Sequence, residues 1–127
     1  MSKAVFDTRY FAELYYSKDE KVLQRLREEK RRQEKFISTV VIHEVYRLTL
    51  AREGRETAVL RTALLKQDFK VVPVTAEIAE VSAELRQRYA LSMGDSMIAA
   101  TASSLRATCI SDDPHFQRVK EIKTTWI

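Results

Sequence analysis

Four short apolar runs, Ala4-Val5-Phe6, Phe36-Ile37, Phe69 to Val74 and Thr108 to Ser111, stand apart along the chain, and the stretches between them carry helical periodicity. A parallel strand cannot be reached by a tight hairpin, so this alternation implies helical crossovers and a mainly parallel sheet covered on both faces. The expected fold class is therefore α/β, with three layers. A chain of 127 residues has room for one such core, and one domain over residues 1–127 is expected.

Local signals place the helices. A helical pattern follows Asp7 through Phe11, Leu14 and Tyr15. Ser17 and Glu20 match a capping box opening a second helix, whose sparse stripe of Val22, Leu23 and Leu26 runs into the charged stretch Arg27 to Lys35. Ser38 or Thr39 caps a helix that reaches about Arg52 and stops at Gly54. Arg55 to Gln67 follows as a helix with Val59, Leu60, Ala63 and Leu64 on one face. Pro73 ends the third β run near Val72. Thr75 caps an amphipathic helix to about Tyr89, bearing Ile78, Ala79, Val81, Ala83 and Leu85, and a further helix spans Gly94 to about Leu105. A short helical turn around Phe116 and a final extended run, Lys123 to Ile127, complete the chain.

No run is apolar enough to span a bilayer and no signal-peptide pattern opens the chain, so a soluble, cytoplasmic protein is expected. The lone Cys109 cannot form an internal disulfide or a thiolate metal site, and its β-like neighbours make it a buried apolar residue. The formal charge of +4 says little by itself. If four acids are gathered in one pocket and neutralised by a cation, however, the remaining surface becomes strongly basic and would attract a polyanion.

The acids are the informative residues. Glu44 falls among Val40, Val41, Val45 and Leu48 on its helix, and Asp95 falls among Ile98, Ala99 and Ala102 on its own. An ionised carboxylate taken out of water costs several kcal/mol, so each needs a partner or a polar cleft. Asp7 and Asp113 each follow a β run, and ligands of open parallel sheets bind outside the carboxyl ends of the strands. Four acids from four elements could then converge, and like charges at that range repel and raise one another's pKa unless a hard cation neutralises them. Mg²⁺ or Mn²⁺ suits such oxygen donors; zinc would favour His or Cys, and only His43 and His115 are present. Each acid also has an ordinary reading. Asp95 could complete a capping box with Ser92, Glu44 could pair with Arg47, Asp7 could be a helix cap, and Asp112-Asp113-Pro114 is a turn sequence.

Four segments carry a resemblance: Val5-Phe6-Asp7-Thr8, Ser38 to Val45, Gly94 to Ala102, and Ser111-Asp112-Asp113-Pro114-His115-Phe116. Together they resemble the PIN domain and, in size, the toxin half of VapBC toxin–antitoxin systems. The resemblance implies a five-stranded parallel sheet, a divalent-metal endoribonuclease acting on RNA, a homodimer and inhibition by a small VapB-like antitoxin. It puts Asp7, Glu44, Asp95 and Asp113 at the catalytic metal, with Asp113 rather than Asp112 as the fourth acid. Thr8 and Ser111 fall where hydroxyls support the acids. Arg9 departs from the small residue common there and is a candidate substrate contact, as are basic residues of Arg25 to Lys35. Tyr15, Tyr16, Val22 and Leu26 would suit an antitoxin or dimer surface, although core packing is the ordinary reading of most of them.

Other functions remain open at this point. A PIN-like scaffold that binds without cutting, and a PIN nuclease of RNA maturation or decay, would share these residues. A receiver domain would need an acidic pair after the first strand, and a haloacid-dehalogenase phosphatase a second Asp where Arg9 stands.

Overall fold

Ala4, Val5 and Phe6 have no exposed surface, as a central strand packed on both faces requires. The computed structural model describes residues 2–31 and 34–127. Its strands are β1 (Lys3–Phe6), β2 (Glu34–Ser38), β3 (Lys70–Val72), β4 (Thr108–Ile110) and β5 (Thr124–Thr125). They form one sheet in the order β3-β2-β1-β4-β5, and every neighbouring pair is parallel. The chain moves outward from β1 to β3, then returns past β1 to lay down β4 and β5. The gap between β1 and β4 is thus the point where the order of connection reverses. Val5 pairs with Phe36 on one side and Cys109 on the other.

The helices flanking this sheet are α1 (Thr8–Tyr16), α2 (Glu20–Glu29), α3 (Thr39–Glu53), α4 (Arg55–Asp68), α5 (Ala76–Tyr89), α6 (Met93–Leu105) and α7 (Pro114–Gln117). None among the described residues is long and apolar enough to cross a membrane. Edge-to-face contacts of Phe6 with Tyr10 and Phe69, and of Phe11 with Tyr10 and Phe69, fix α1 against the sheet. The buried Tyr10 hydroxyl donates to the Leu26 carbonyl and ties α1 to α2. Rigid seating of α1 matters because its first residues belong to the site.

Several expectations are corrected. Asp19, not Ser17, caps α2: its carboxylate accepts from the N–H groups of Lys21 and Val22, while Ser17 Oγ accepts from the Asp19 N–H. The apolar stripe of α4 faces outward, with Val59, Leu60 and Leu64 exposed, and the helix buries Ala58, Thr62 and Leu65 instead. Thr62 can be buried because its hydroxyl donates to the Ala58 carbonyl one turn back. On α5 the buried set is Ile78, Ser82 and Leu85, and Val81 is exposed. Leu26 is fully buried, and Tyr15 and Val22 pack partly against the core, so these residues are not a free apolar surface. Of the charged stretch before β2, Arg32 and Gln33 lie outside the described residues. The closing run is a strand only over Thr124–Thr125, anchored by Cys109 and Ser111 N–H groups donating to the Lys123 and Thr125 carbonyls.

Candidate active site

Asp7 leaves the carboxyl end of β1 and stands at the N-cap of α1, a position where Asp normally accepts hydrogen bonds from the first turn. Here its side chain makes no capping bond. It turns toward the β1–β4 gap, where Ser111 Oγ donates to Asp7 Oδ2 at 2.7 Å from just beyond β4. The residue is 3% exposed. Burial pushes its carboxyl up to about 7, the Ser111 hydroxyl draws it back, and the charges of Asp95 and Glu44 raise it again. A cation bound beside this carboxyl would favour its ionised form and displace the proton to solvent.

Ser111 also accepts from the Asp113 N–H at 3.1 Å, so one hydroxyl connects Asp7 to the loop that carries the fourth acid. Asp113 caps α7, its Oδ1 accepting from the His115 N–H at 2.9 Å. Neighbouring Asp112 points elsewhere. Arg9 Nε and Nη2 donate to Asp112 Oδ1 and Oδ2 at 3.0 and 3.2 Å, a forked pair at the rim of the site. The predicted substrate contact Arg9 therefore has its guanidinium engaged with Asp112.

Glu44 lies at the edge of the buried face of α3, beside Val41 and Val45, and is half-buried. Thr8 Oγ1 donates to Glu44 Oε1 at 2.6 Å. Its other oxygen, Oε2, occupies the space above Gly94, where an added Cβ would lie 3.2 Å away. A side chain at position 94 would push that carboxylate back by a few tenths of an ångström from the start of α6. The next residue is Asp95, in the first turn of α6, whose N–H donates to the Ser92 cap at 3.2 Å. Burial is the main cause that raises the Asp95 carboxyl, followed by the charge of Asp113, with Glu44 also contributing.

The four acids are thus electrostatic neighbours at the switch point, Asp7 facing Asp95 and Glu44, and Asp95 facing Asp113 and Glu44. All are oxygen donors that repel one another, which is the donor set a hard divalent cation fits. The tightest grouping contains a residue the sequence did not single out. Asp95, Asp113 and His115 each offer one ligand atom within 4.8 Å of the others. Its signal was the Asp-Pro-His order, which puts a side chain in the first turn of α7, directly over its cap. Arg47, the expected partner of Glu44, instead lines with Thr8, His43, Glu44, Leu48 and Ala51 a cavity of about 400 Å³. Arg47 forms no ion pair with Glu44 among the described residues. Cys109 is fully buried, and burial pushes its thiol well up, so it is no nucleophile.

The PIN domain family model matches residues 4–122. No curated protein matches by sequence. Among solved structures, a toxin–antitoxin complex from Klebsiella pneumoniae shares 28% identity at a TM-score of 0.77, covering 98% of this chain and 100% of that one. DNA-bound VapBC from Salmonella typhimurium shares 18% identity at a TM-score of 0.81, covering 99% and 98%. VapC20 from Mycobacterium tuberculosis, a toxin that cleaves the sarcin-ricin loop, shares 23% identity at a TM-score of 0.77, covering 91% and 93%.

Proposed function

The chain belongs to the PIN domain family, and from that premise we propose that it is a Mg²⁺- or Mn²⁺-dependent endoribonuclease, the cytoplasmic toxin of a type II toxin–antitoxin pair. The observation that carries this reading is Asp7: buried at the switch point of the sheet, excused from capping its own helix, and crowded by Asp95 and Glu44. A purely structural acid in that place would be better replaced by a neutral residue. The similarity to VapBC complexes supports a VapB-like antitoxin as partner, and the toxin reading carries with it a homodimer.

In this mechanism Asp7, Glu44, Asp95 and Asp113 would hold one or two cations, directly or through water, with Asp95 and Asp113 acting on the same ion. A cation bound there supplies activation of water and neutralisation of charge on the phosphodiester. The protein's own groups do the rest. Ser111 and Thr8 hold the Asp7 and Glu44 carboxylates in fixed directions, so little reorganisation is needed as the phosphate arrives. Arg47, exposed at the cavity beside Glu44, is placed to contact a phosphate of single-stranded or loop RNA next to the one being cut. The exposed Leu60 and Leu64 of α4 offer an apolar face for an antitoxin helix.

The test is cleavage of structured and unstructured RNA with Mg²⁺, Mn²⁺ or EDTA, comparing the parent with Asp95→Asn. Cleavage that EDTA and the substitution both abolish supports the reading, and full activity in Asp95→Asn removes it.

A further inference from the structure

His115 is the second residue of α7, after Pro114. Its backbone N–H is held by Asp113 Oδ1, and this tight closure folds the imidazole back over the carboxylates. Nδ1 lies 3.0 Å from Asp113 Oδ1 and 4.0 Å from Asp95 Oδ2. The three side chains offer one donor atom each within 4.8 Å. Donors bound at about 2.1 Å to one six-coordinate cation stand roughly 3 Å apart when adjacent and just over 4 Å apart when opposite. The two distances from Nδ1 fall within that range, the shorter being also that of a hydrogen bond to Asp113. The imidazole is more than half exposed, and its contact with Asp113, not packing, sets its direction. The other histidine, His43, sits on α3 in the cavity beside Glu44 and is not in this group.

We propose that His115, through Nδ1, is a ligand of the cation held by Asp95 and Asp113, and that this nitrogen gives the centre a preference for Mn²⁺ over Mg²⁺. The inference rests on the proposed cation site and adds a residue and a selectivity to it. Mg²⁺ favours an all-oxygen shell and surrenders water reluctantly, whereas affinity for a mixed nitrogen and oxygen site rises along the first transition series. The nitrogen therefore stabilises bound Mn²⁺ more than bound Mg²⁺.

Pulsed electron paramagnetic resonance of the Mn²⁺-loaded protein tests this directly, because a coordinated imidazole imposes nitrogen modulation on the manganese signal. The modulation is expected in the parent and in His43→Gln, and is lost in His115→Gln. Titration calorimetry on the same proteins is expected to show His115→Gln weakening Mn²⁺ binding by roughly tenfold and Mg²⁺ binding by less than about threefold. Tight Mn²⁺ binding without nitrogen modulation in the parent, or modulation that survives in His115→Gln, overturns the inference and leaves the nuclease reading standing. Failure of the parent to bind Mn²⁺ at all overturns both.

Discussion

Thr8 Oγ1 donates to Glu44 Oε1 across 2.6 Å, so the residue that follows the first acid in sequence holds the second acid in space. The start of α1 and the second turn of α3 are thereby coupled. Thr8→Val keeps the shape and removes the donor. It is expected to cost about 1 kcal/mol of stability in urea unfolding and to lower RNA cleavage by roughly tenfold. Thr8→Ser, which restores a hydroxyl, should return activity to near the parent level.

Asp7 predicts an inverted pH dependence of stability in metal-free protein. Burial raises its carboxyl from 3.8 to about 7 in the folded state. Between those values the folded chain binds the proton more tightly than the unfolded chain, so stability falls as pH rises through that window. The full effect is at most about 4 kcal/mol. Urea unfolding in EDTA should show this decline for the parent, and Asp7→Asn should flatten it, leaving the variant more stable than the parent at neutral pH and unable to cut RNA. A stability profile for Asp7→Asn that follows the parent would contradict the assignment.

Gly94 gives a steric prediction. A Cβ there would lie 3.2 Å from Glu44 Oε2, so Gly94→Ala must displace the carboxylate by a few tenths of an ångström. Alanine favours the helix by up to about 1 kcal/mol, so the melting temperature should hold or rise. Cleavage should nevertheless fall by roughly tenfold.

The two adjacent acids after β4 separate by partner. Asp112 is bound by Arg9 at the exposed rim, whereas Asp113 faces Asp95 and His115. Asp112→Asn should change cleavage by less than about fivefold, the range of a surface ion pair. Asp113→Asn keeps a competent helix cap and should lose roughly a hundredfold or more. Equal effects in the two variants would show that the loop is read wrongly.

The alternation of β runs and helices made the parallel sheet legible, because period and length are local properties of the chain. The acids could be picked out because a charge among Ile98, Ala99 and Ala102 has no reason to be there unless something compensates it. Features set by tertiary contact were hidden. The stripe of Val59, Leu60 and Leu64 has the spacing of a core face, yet α4, which packs against α3, buries Ala58, Thr62 and Leu65. Ser17 and Glu20 fit a capping box, but the helix starts two residues later and Asp19 accepts from the N–H groups of Lys21 and Val22. His115 carries no local mark of a ligand in the sequence, because its place beside Asp95 depends on α6 and α7 meeting at the end of the sheet.

The central claim is that these acids share a cation, and anomalous diffraction from crystals grown with Mn²⁺ tests it most directly. The account predicts a manganese peak within bonding distance of Asp95 and Asp113 and reached by Asp7 or Glu44, directly or through one water, and absent in Asp95→Asn. A crystal saturated with Mn²⁺ that shows no peak between these residues, or only peaks elsewhere on the surface, would contradict it.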